Sequence, residues 1–583
     1  MSSNLKKKLS SPFAALIAVL LCALIIWGVS SSWGGTTINR VVYTGTDGVQ
    51  NSYLMFVPDS ATTEAPAPAA IVVQGGSSTA HRFDSFSMEL ARRGFVVLAV
   101  DKEGAGFSRL VDETALMQNM VDYLKSLEIV RPEEIHLIGH SGGTWAVSKL
   151  AAANYGEVAS VCFCHTSINA LPRFADDPGT NFYFILSEAD FGLFDTEGVN
   201  AQLARWFDMD TVEDGVIYGS FENKDAHMLY WDKKPVIHAA ATWAPEVIAT
   251  FLTFIGNISP EATSIAPPQQ VWQWCAVFGL LGMLASVWLL LALVMKLLSL
   301  KFFESIKRPV AREMGFRGWR WALSAALSIV GGVGLYLLRE KIFDTSVNSF
   351  FNSKGVNMIT PYLIMFAVYE LVLFFVLFYL PRKKEDGLNA YEIGLSWGEG
   401  KPFLVQIGKC ALVAIIVESV MLTMFHFMEA FGGINFQFLF VSFNAITLNR
   451  VWQSLGYMLM FIFIFFASNF SQNITRRLKT TGSDTKDLAI AMVINAVLAA
   501  LPTAILSVAQ VVAHHNHFEY LHMNFRHMYG TPFMFAYAAM INTYLYRKTG
   551  NSWLGILVNA LFIGIFAASA QPYDMNFLGL MPF

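Results

Sequence analysis

A serine set among glycines, Gly139-His140-Ser141-Gly142-Gly143, is the part of this 583-residue chain best suited to chemistry. An apolar run, Glu134-Ile135-His136-Leu137-Ile138, precedes it, and a small-residue stretch with helical character, 144–153, follows. Strand, G-x-S-x-G, helix is the setting of a nucleophilic serine on a sharp turn. Small residues flank such a serine because its backbone is strained and neighbouring chains pass close. The turn lifts the hydroxyl clear of a sheet, beside the first N–H groups of a helix. A hydroxyl is a weak nucleophile at neutral pH. It needs a base to take its proton, an acid to orient that base, and N–H donors for the oxyanion.

The chain that carries this serine is built for a membrane. It is 54% hydrophobic and only 14% charged, against about 25% charged residues in soluble domains. The net charge of −4 argues against a nucleic-acid partner. Five scattered cysteines, Cys22, Cys162, Cys164, Cys275 and Cys410, read as free buried thiols. Residues 1–35 combine a basic start, Lys6-Lys7-Lys8, with an apolar anchor at 13–29 that lacks a cleavage site. Residues 36–257 read as a soluble α/β segment, and 258–270 as a linker. Residues 271–583 hold about eight apolar spans, at 271–295, 321–338, 361–380, 404–425, 451–468, 488–512, 531–546 and 553–570. With a cytoplasmic N-terminus, the inside loops collect most of the basic residues, Arg308, Arg382, Lys383, Arg476 and Lys548 among them. That bias predicts a multi-pass cell-membrane protein with its soluble segment outside. The apolar stretch from Gln437 to Asn449 is read as re-entrant or interfacial; a crossing there would reverse the parity.

Within 36–257, strand-like and helical runs alternate. A hairpin (38–44 and 53–57) opens the segment. Strands follow at 70–73, 95–100, 135–138, 158–164, 182–186 and 216–221, with helices at 83–93, 113–128 and 235–255. Continuous apolar strands separated by helices predict a mostly parallel sheet covered on both faces. Four features in chain order then resemble the α/β-hydrolase family. Val73-Gln74-Gly75-Gly76 is similar to the family's oxyanion loop, with Gln74 where many members have histidine. Asp101, Gly104, Gly106 and Ser108 match a D-x-x-G-x-G-x-S turn after a strand. Gly139 to Gly143 is the elbow. Ser187-Glu188-Ala189-Asp190 and Asp225-Ala226-His227 resemble the acid and histidine loops.

That resemblance implies an α/β-hydrolase fold joined to an all-α transmembrane bundle. It also implies Ser141 as nucleophile, His227 as base, Asp190 as the orienting acid, and the N–H groups of Gly76 and Gly142 as oxyanion donors. Glu188 competes with Asp190, and His238, inside the expected closing helix, competes with His227. His140 is read as packing or touching substrate, His136 as a strand residue, and Asp101 and Ser108 as organisers of their turn. Nothing assigns a metal, a cofactor or an oligomeric state to this segment.

In the spans, Glu370, Glu418, Asn495, Asn542 and Asn559 are read as interhelical hydrogen-bonding groups, or as a lipid or solute site. The His514–His527 stretch is histidine-rich without a known metal-ligand spacing. Residues 546–562 faintly resemble CAAX-protease-like membrane proteins, but there is no Glu-Glu pair and Asn559 stands where a histidine is expected. The expected function is a membrane-bound serine hydrolase acting through an acyl-enzyme on a small-molecule or lipid ester, thioester or amide. Alternatives are an acyltransferase with a membrane-delivered acceptor, and a transporter or scaffold with an inactive hydrolase-like domain.

Overall fold

A computed structural model of the chain describes residues 11–569, apart from 45–49, 77, 103, 109–112, 155, 167, 169–178, 188–189, 191–195, 235, 237, 263, 309–314, 343–358, 437–447, 478–482 and 516–529. The soluble half is a nine-stranded sheet: β1 (Thr36–Thr44), β2 (Gln50–Pro58), β3 (Ala67–Val73), β4 (Val96–Asp101), β5 (Val130–His140), β6 (Ser160–Cys164), β7 (Asn181–Ser187), β8 (Ile217–Tyr218) and β9 (His227–Asp232), in the order β1-β2-β4-β3-β5-β6-β7-β9-β8. The six strands from β4 to β9 in that order pair in parallel, while β1, β2 and β8 pair antiparallel. β3, β4, β6 and β7 are buried at every position. Their apolar runs meet helices on both faces, as a parallel sheet requires.

Helices α2 (Asp84–Ala91) and α6 (Pro245–Ile258) cover one face, and α3 (Glu113–Ser126), α4 (Gly142–Ala153) and α5 (Thr196–Phe207) the other. Pro245 opens α6 at a position where its missing N–H costs nothing. The structure corrects the expected closing helix over 235–255. Residues His238–Trp243 form a separate 3-10 turn before α6, and the run ahead of it is the strand β9.

The apolar half is helical. α1 (Pro12–Ser30) buries Ala15, Val19, Ala23 and Ile26, a one-sided stripe, and packs along α7 (Trp272–Leu297). There follow α8 (Trp319–Ile342), α9 (Ile359–Leu373, continued to Asp386), α10 (Phe403–Gly432), α11 (Leu448–Asn469, continued to Thr475), α12 (Asp484–His515), α13 (Thr531–Thr549) and α14 (Ser552–Ser569). Helices thus occupy all eight expected places. Among the described residues, seven helices, α1 and α7 to α12, are long and apolar enough to cross a membrane. α13 and α14 pack within the same bundle. The side chains of His514–His527 and residues 169–178 lie outside what is described.

A buried ionic network joins the halves. Arg40 on β1 reaches Asp101 at the end of β4 and Glu429 near the end of α10, each at 2.5 Å. His81 stands between Asp84 (2.9 Å) and Glu429 (3.3 Å). Arg450, at the start of α11, donates to the Gly104 carbonyl beyond β4 (3.2 Å) and to Ala568 at the end of α14 (2.8 Å). Glu429 and Arg450, on either side of the Gln437–Asn449 stretch, both meet the soluble half, while residues 437–447 of that stretch lie outside those described. At the bundle's other end Arg308 bonds Thr549, Gly550 and Tyr391, and Phe316 bonds Thr475. Up-and-down alternation along the chain gives this sorting of helix ends.

Burial opposes a charge on His81, but Asp84 and Glu429 outweigh it and raise its pKa to about 9. A histidine raised from 6.5 stabilises the fold fully below pH 6.5 and loses that contribution as pH climbs through 9. Thermal unfolding of the purified protein should show stability falling over this window, by at most about 1.4 kcal/mol per pH unit from this proton. His81→Gln should flatten the fall.

Candidate active site

Ser141 closes β5 with φ 54° and ψ −124°, a conformation that costs about 1–3 kcal/mol in a non-glycine residue. The surroundings hold it there. Its N–H donates to the Cys164 carbonyl (3.1 Å), and its carbonyl accepts from the Thr144 N–H (3.0 Å) and hydroxyl. The glycines around it are forced by close approach. A Cβ on Gly139 would lie 2.6 Å from the Gly143 carbonyl oxygen, and one on Gly143 2.2 Å from that of Val73. One on Gly75 would lie 2.8 Å from the Ser141 Cβ. Gly142 differs, since its Cβ position is 3.6 Å from the Gly76 nitrogen and from Lys102 Nζ. Gly76 and Gly142, the predicted oxyanion donors, are therefore neighbours. Gly142 is the first residue of α4, where N–H groups have no partner within the helix. Lys102, just past β4, adds a cation there that the sequence reading missed.

Asp190 follows the carboxyl end of β7 and is 1% exposed. Its carboxylate meets two imidazoles: His238 Nδ1 at 2.8 and 3.0 Å, and His165 Nδ1 at 3.0 Å. Burial alone would raise its pKa, but the His238 and His165 rings hold it below the usual carboxylate range. His238 follows the carboxyl end of β9. His140, Ser141's chain neighbour, brings it to the elbow: His140 Nε2 bonds the His238 carbonyl (2.9 Å), and the two rings pack at 4.8 Å. His140 is thus a positioning group. Its pKa falls well below the ordinary value, through burial first and then through the nearby His238, Arg82 and His165, which keeps it neutral.

The structure does not bring His227 to Asp190. His227 begins β9 and pairs with Phe182, at the amino end of β7. From Phe182 to Ser187 the strand runs five residues, roughly 16 Å at 3.3 Å per residue, so His227 sits at the opposite edge of the sheet. Its ring stacks on Phe182 at 3.8 Å, and burial lowers its pKa to about 4. The separation from Asp190 follows from a strand that the sequence reading did not place. Met228-Leu229-Tyr230-Trp231 carried a strand signal that would have moved the histidine loop past Asp232.

The other expectations have clear places. Asp101 accepts from Arg40, Ser52 Oγ (2.6 Å), the Ala80 N–H (2.7 Å) and the Phe107 N–H (3.3 Å), while Ser108 Oγ accepts from the Ser52 N–H (2.8 Å). Both organise their turn. Gln74 points its amide at the Ser78 carbonyl (3.3 Å), and His136 bonds Ser160 and Ser259 within the core. Among the described residues, His165, Asp190 and His238 form the group whose donor atoms converge enough for a metal ion. The carboxylate already faces both Nδ1 atoms at hydrogen-bond distance, an arrangement suited to orienting an imidazole. In the bundle, Glu370 accepts from Ser328 and Ser471 on neighbouring helices, and Asn559 donates to Ala538 (2.8 Å). These are interhelical bonds. Glu370 also borders a cavity of about 610 Å³.

The close approaches separate two adjacent glycines. Gly143→Ala should destabilise the protein by more than about 2 kcal/mol, because backbone and not a flexible side chain blocks the new methyl. Gly142→Ala, with 3.6 Å of room, should leave the melting temperature nearly unchanged. Thermal unfolding of the two variants side by side checks this.

No protein-family model and no curated protein sequence matches the chain. Several solved structures resemble its soluble half. A bacterial heroin esterase is 17% identical with a TM-score of 0.30, covering 43% of this chain and 92% of that one. The α/β hydrolase GrgF from Penicillium sp. is 13% identical with a TM-score of 0.28, covering 38% of this chain and 99% of that one. Dipeptidyl peptidase 4 from Porphyromonas gingivalis is 12% identical with a TM-score of 0.27, covering 35% and 33%. The strand order, the parallel pairing and the helices on both faces make the soluble half an α/β-hydrolase fold.

Proposed function

We propose that this protein is a membrane-bound serine hydrolase that cleaves an ester, thioester or amide through an acyl-enzyme, with its hydrolase domain on the outer face of the cell membrane. The observation that carries the reading is the Asp190–His238 pair held against a strained Ser141 elbow. His238 takes the proton of Ser141 as Oγ attacks the carbonyl carbon, then gives it to the leaving group. Asp190, kept ionised at neutral pH, fixes the tautomer whose Nε2 accepts the proton and stabilises the imidazolium. The Gly76 and Gly142 N–H groups receive the oxyanion; one such donor is worth about 3 kcal/mol in the transition state. Water resolves the acyl-enzyme with His238 again as base. The outward placement rests on the basic loops gathering at the bundle end away from the hydrolase domain.

A fluorophosphonate probe should label the full-length protein, and Ser141→Ala should abolish labelling. With a chromogenic ester, His238→Ala should lower kcat/KM by about 10⁴-fold or more, and Asp190→Asn by about 10⁴-fold. His227→Ala should stay within about threefold of the parent. A folded parent that never labels would refute the reading, and loss of activity in His227→Ala alone would reverse the histidine assignment.

A further inference from the structure

The carboxyl edge of the sheet, where Ser141, Asp190 and His238 lie, is the edge turned to the bundle. Asp101 and Gly104, at the end of β4 and just beyond it, are held by Arg40–Glu429 and by Arg450. Beside this junction lies a partly open pocket between the two halves. Its walls come from both halves. Ile26, Ala276 and Gly279, on α1 and α7, form an apolar side, while His81, Ser85 and Trp243 close the hydrolase side. His81 belongs to the turn Ala80–Phe83 that follows the oxyanion loop. Trp243 ends the turn that begins with His238. The Ser85 hydroxyl bonds the Thr242 carbonyl, tying the second wall to the first. The two turns that border the cavity thus hang from the segments carrying Gly76 and His238.

Chemistry and position both select an amphiphile. The apolar walls sit at the ends of two membrane-spanning helices, at the level of a Trp243–Trp272 pair 6.2 Å apart. Tryptophan favours this level of a bilayer. The polar walls stand where an ester head would meet the hydrolase domain. A Cβ on Gly279 would meet nothing within 4 Å, so α7 leaves open space on this side.

We propose that the cavity binds the acyl chain of a membrane-borne ester, drawn from the bilayer and presented to Ser141 from the membrane side. The inference rests on the serine-hydrolase reading and names its substrate class. The reaction is unchanged: the Ser141 Oγ–acyl bond forms, the ester C–O bond breaks, and the alcohol leaves with the proton carried by His238.

The test uses the full-length protein in phosphatidylcholine vesicles, with p-nitrophenyl acetate and p-nitrophenyl dodecanoate as substrates. The parent should turn over the dodecanoate at least about tenfold better than the acetate in kcat/KM. Gly279→Phe, which fills the cavity, should cut dodecanoate turnover at least tenfold and leave acetate turnover within about twofold. Ala276→Leu should act in the same direction more weakly. Absence of a chain-length preference in the parent, or equal loss on both esters, overturns the proposal. A photoreactive diazirine hexadecanoic acid provides a readout independent of turnover. Cross-links to α1 or α7 that vanish in Gly279→Phe support the chain site even if no ester is cleaved, and then only the hydrolase reading fails. No cross-link there overturns the proposal whatever the turnover.

Discussion

The guanidinium of Arg40, buried between the carboxylates of Asp101 and Glu429, sets how the two halves of this protein meet. A lone buried charge costs several kcal/mol, and removing one partner of such a pair costs about 3–5 kcal/mol. The two carboxylates come from different worlds, one at the end of a sheet strand and one at the end of a membrane helix. Arg40 satisfies both only if the carboxyl edge of the sheet is docked on the bundle. Asp101 also receives Ser52, Ala80 and Phe107, so the β4 turn, the oxyanion loop's continuation and the opening hairpin are fixed by the same group. His81 and Arg450 extend the junction on either side.

On that frame, the candidate site stores strain rather than avoiding it. Ser141 is held in a backbone conformation that few serines adopt, and the cost is offset by a buried sheet and by glycines that let β3, β5 and α4 approach within contact distance. The acid and histidine emerge from the same edge because parallel strands all end there. Asp190 is shared by two imidazoles, and His140 holds the His238 backbone. The orientation of His238 is therefore set by Asp190, His165 and His140, from three strand ends.

The membrane half carries its own polar logic. Glu370, Asn495, Asn542 and Asn559 are joined to neighbouring helices, which is how polar groups persist in a low-dielectric bundle. The helix ends sort into two sets, one against the hydrolase domain and one far from it. The pocket between the halves lies where the first set, the sheet edge and a tryptophan pair come together.

Much of this was legible in the residues. The elbow was readable because strain and close approach restrict which residues fit, so Gly139, Ser141 and Gly143 announce their own geometry. The parallel sheet was readable because strands buried on both faces are apolar at every position. The spans were readable because lipid excludes charge over some twenty residues. The histidine was not. His227 and His238 lie eleven residues apart, and choosing between them needs the direction and length of β9, which places one at each edge of the sheet. Local composition does not encode which edge a residue reaches; the pairing of β9 with β7 does. The same holds for Arg40 with Glu429, 389 residues apart, whose partnership exists only once the sheet has docked on the bundle. The sequence by itself determined that a serine elbow, a parallel sheet and a bundle of long apolar helices share this chain. Only the tertiary structure decided which histidine meets Asp190 and that the serine's edge meets the helical bundle, because both are long-range pairings that no local pattern contains.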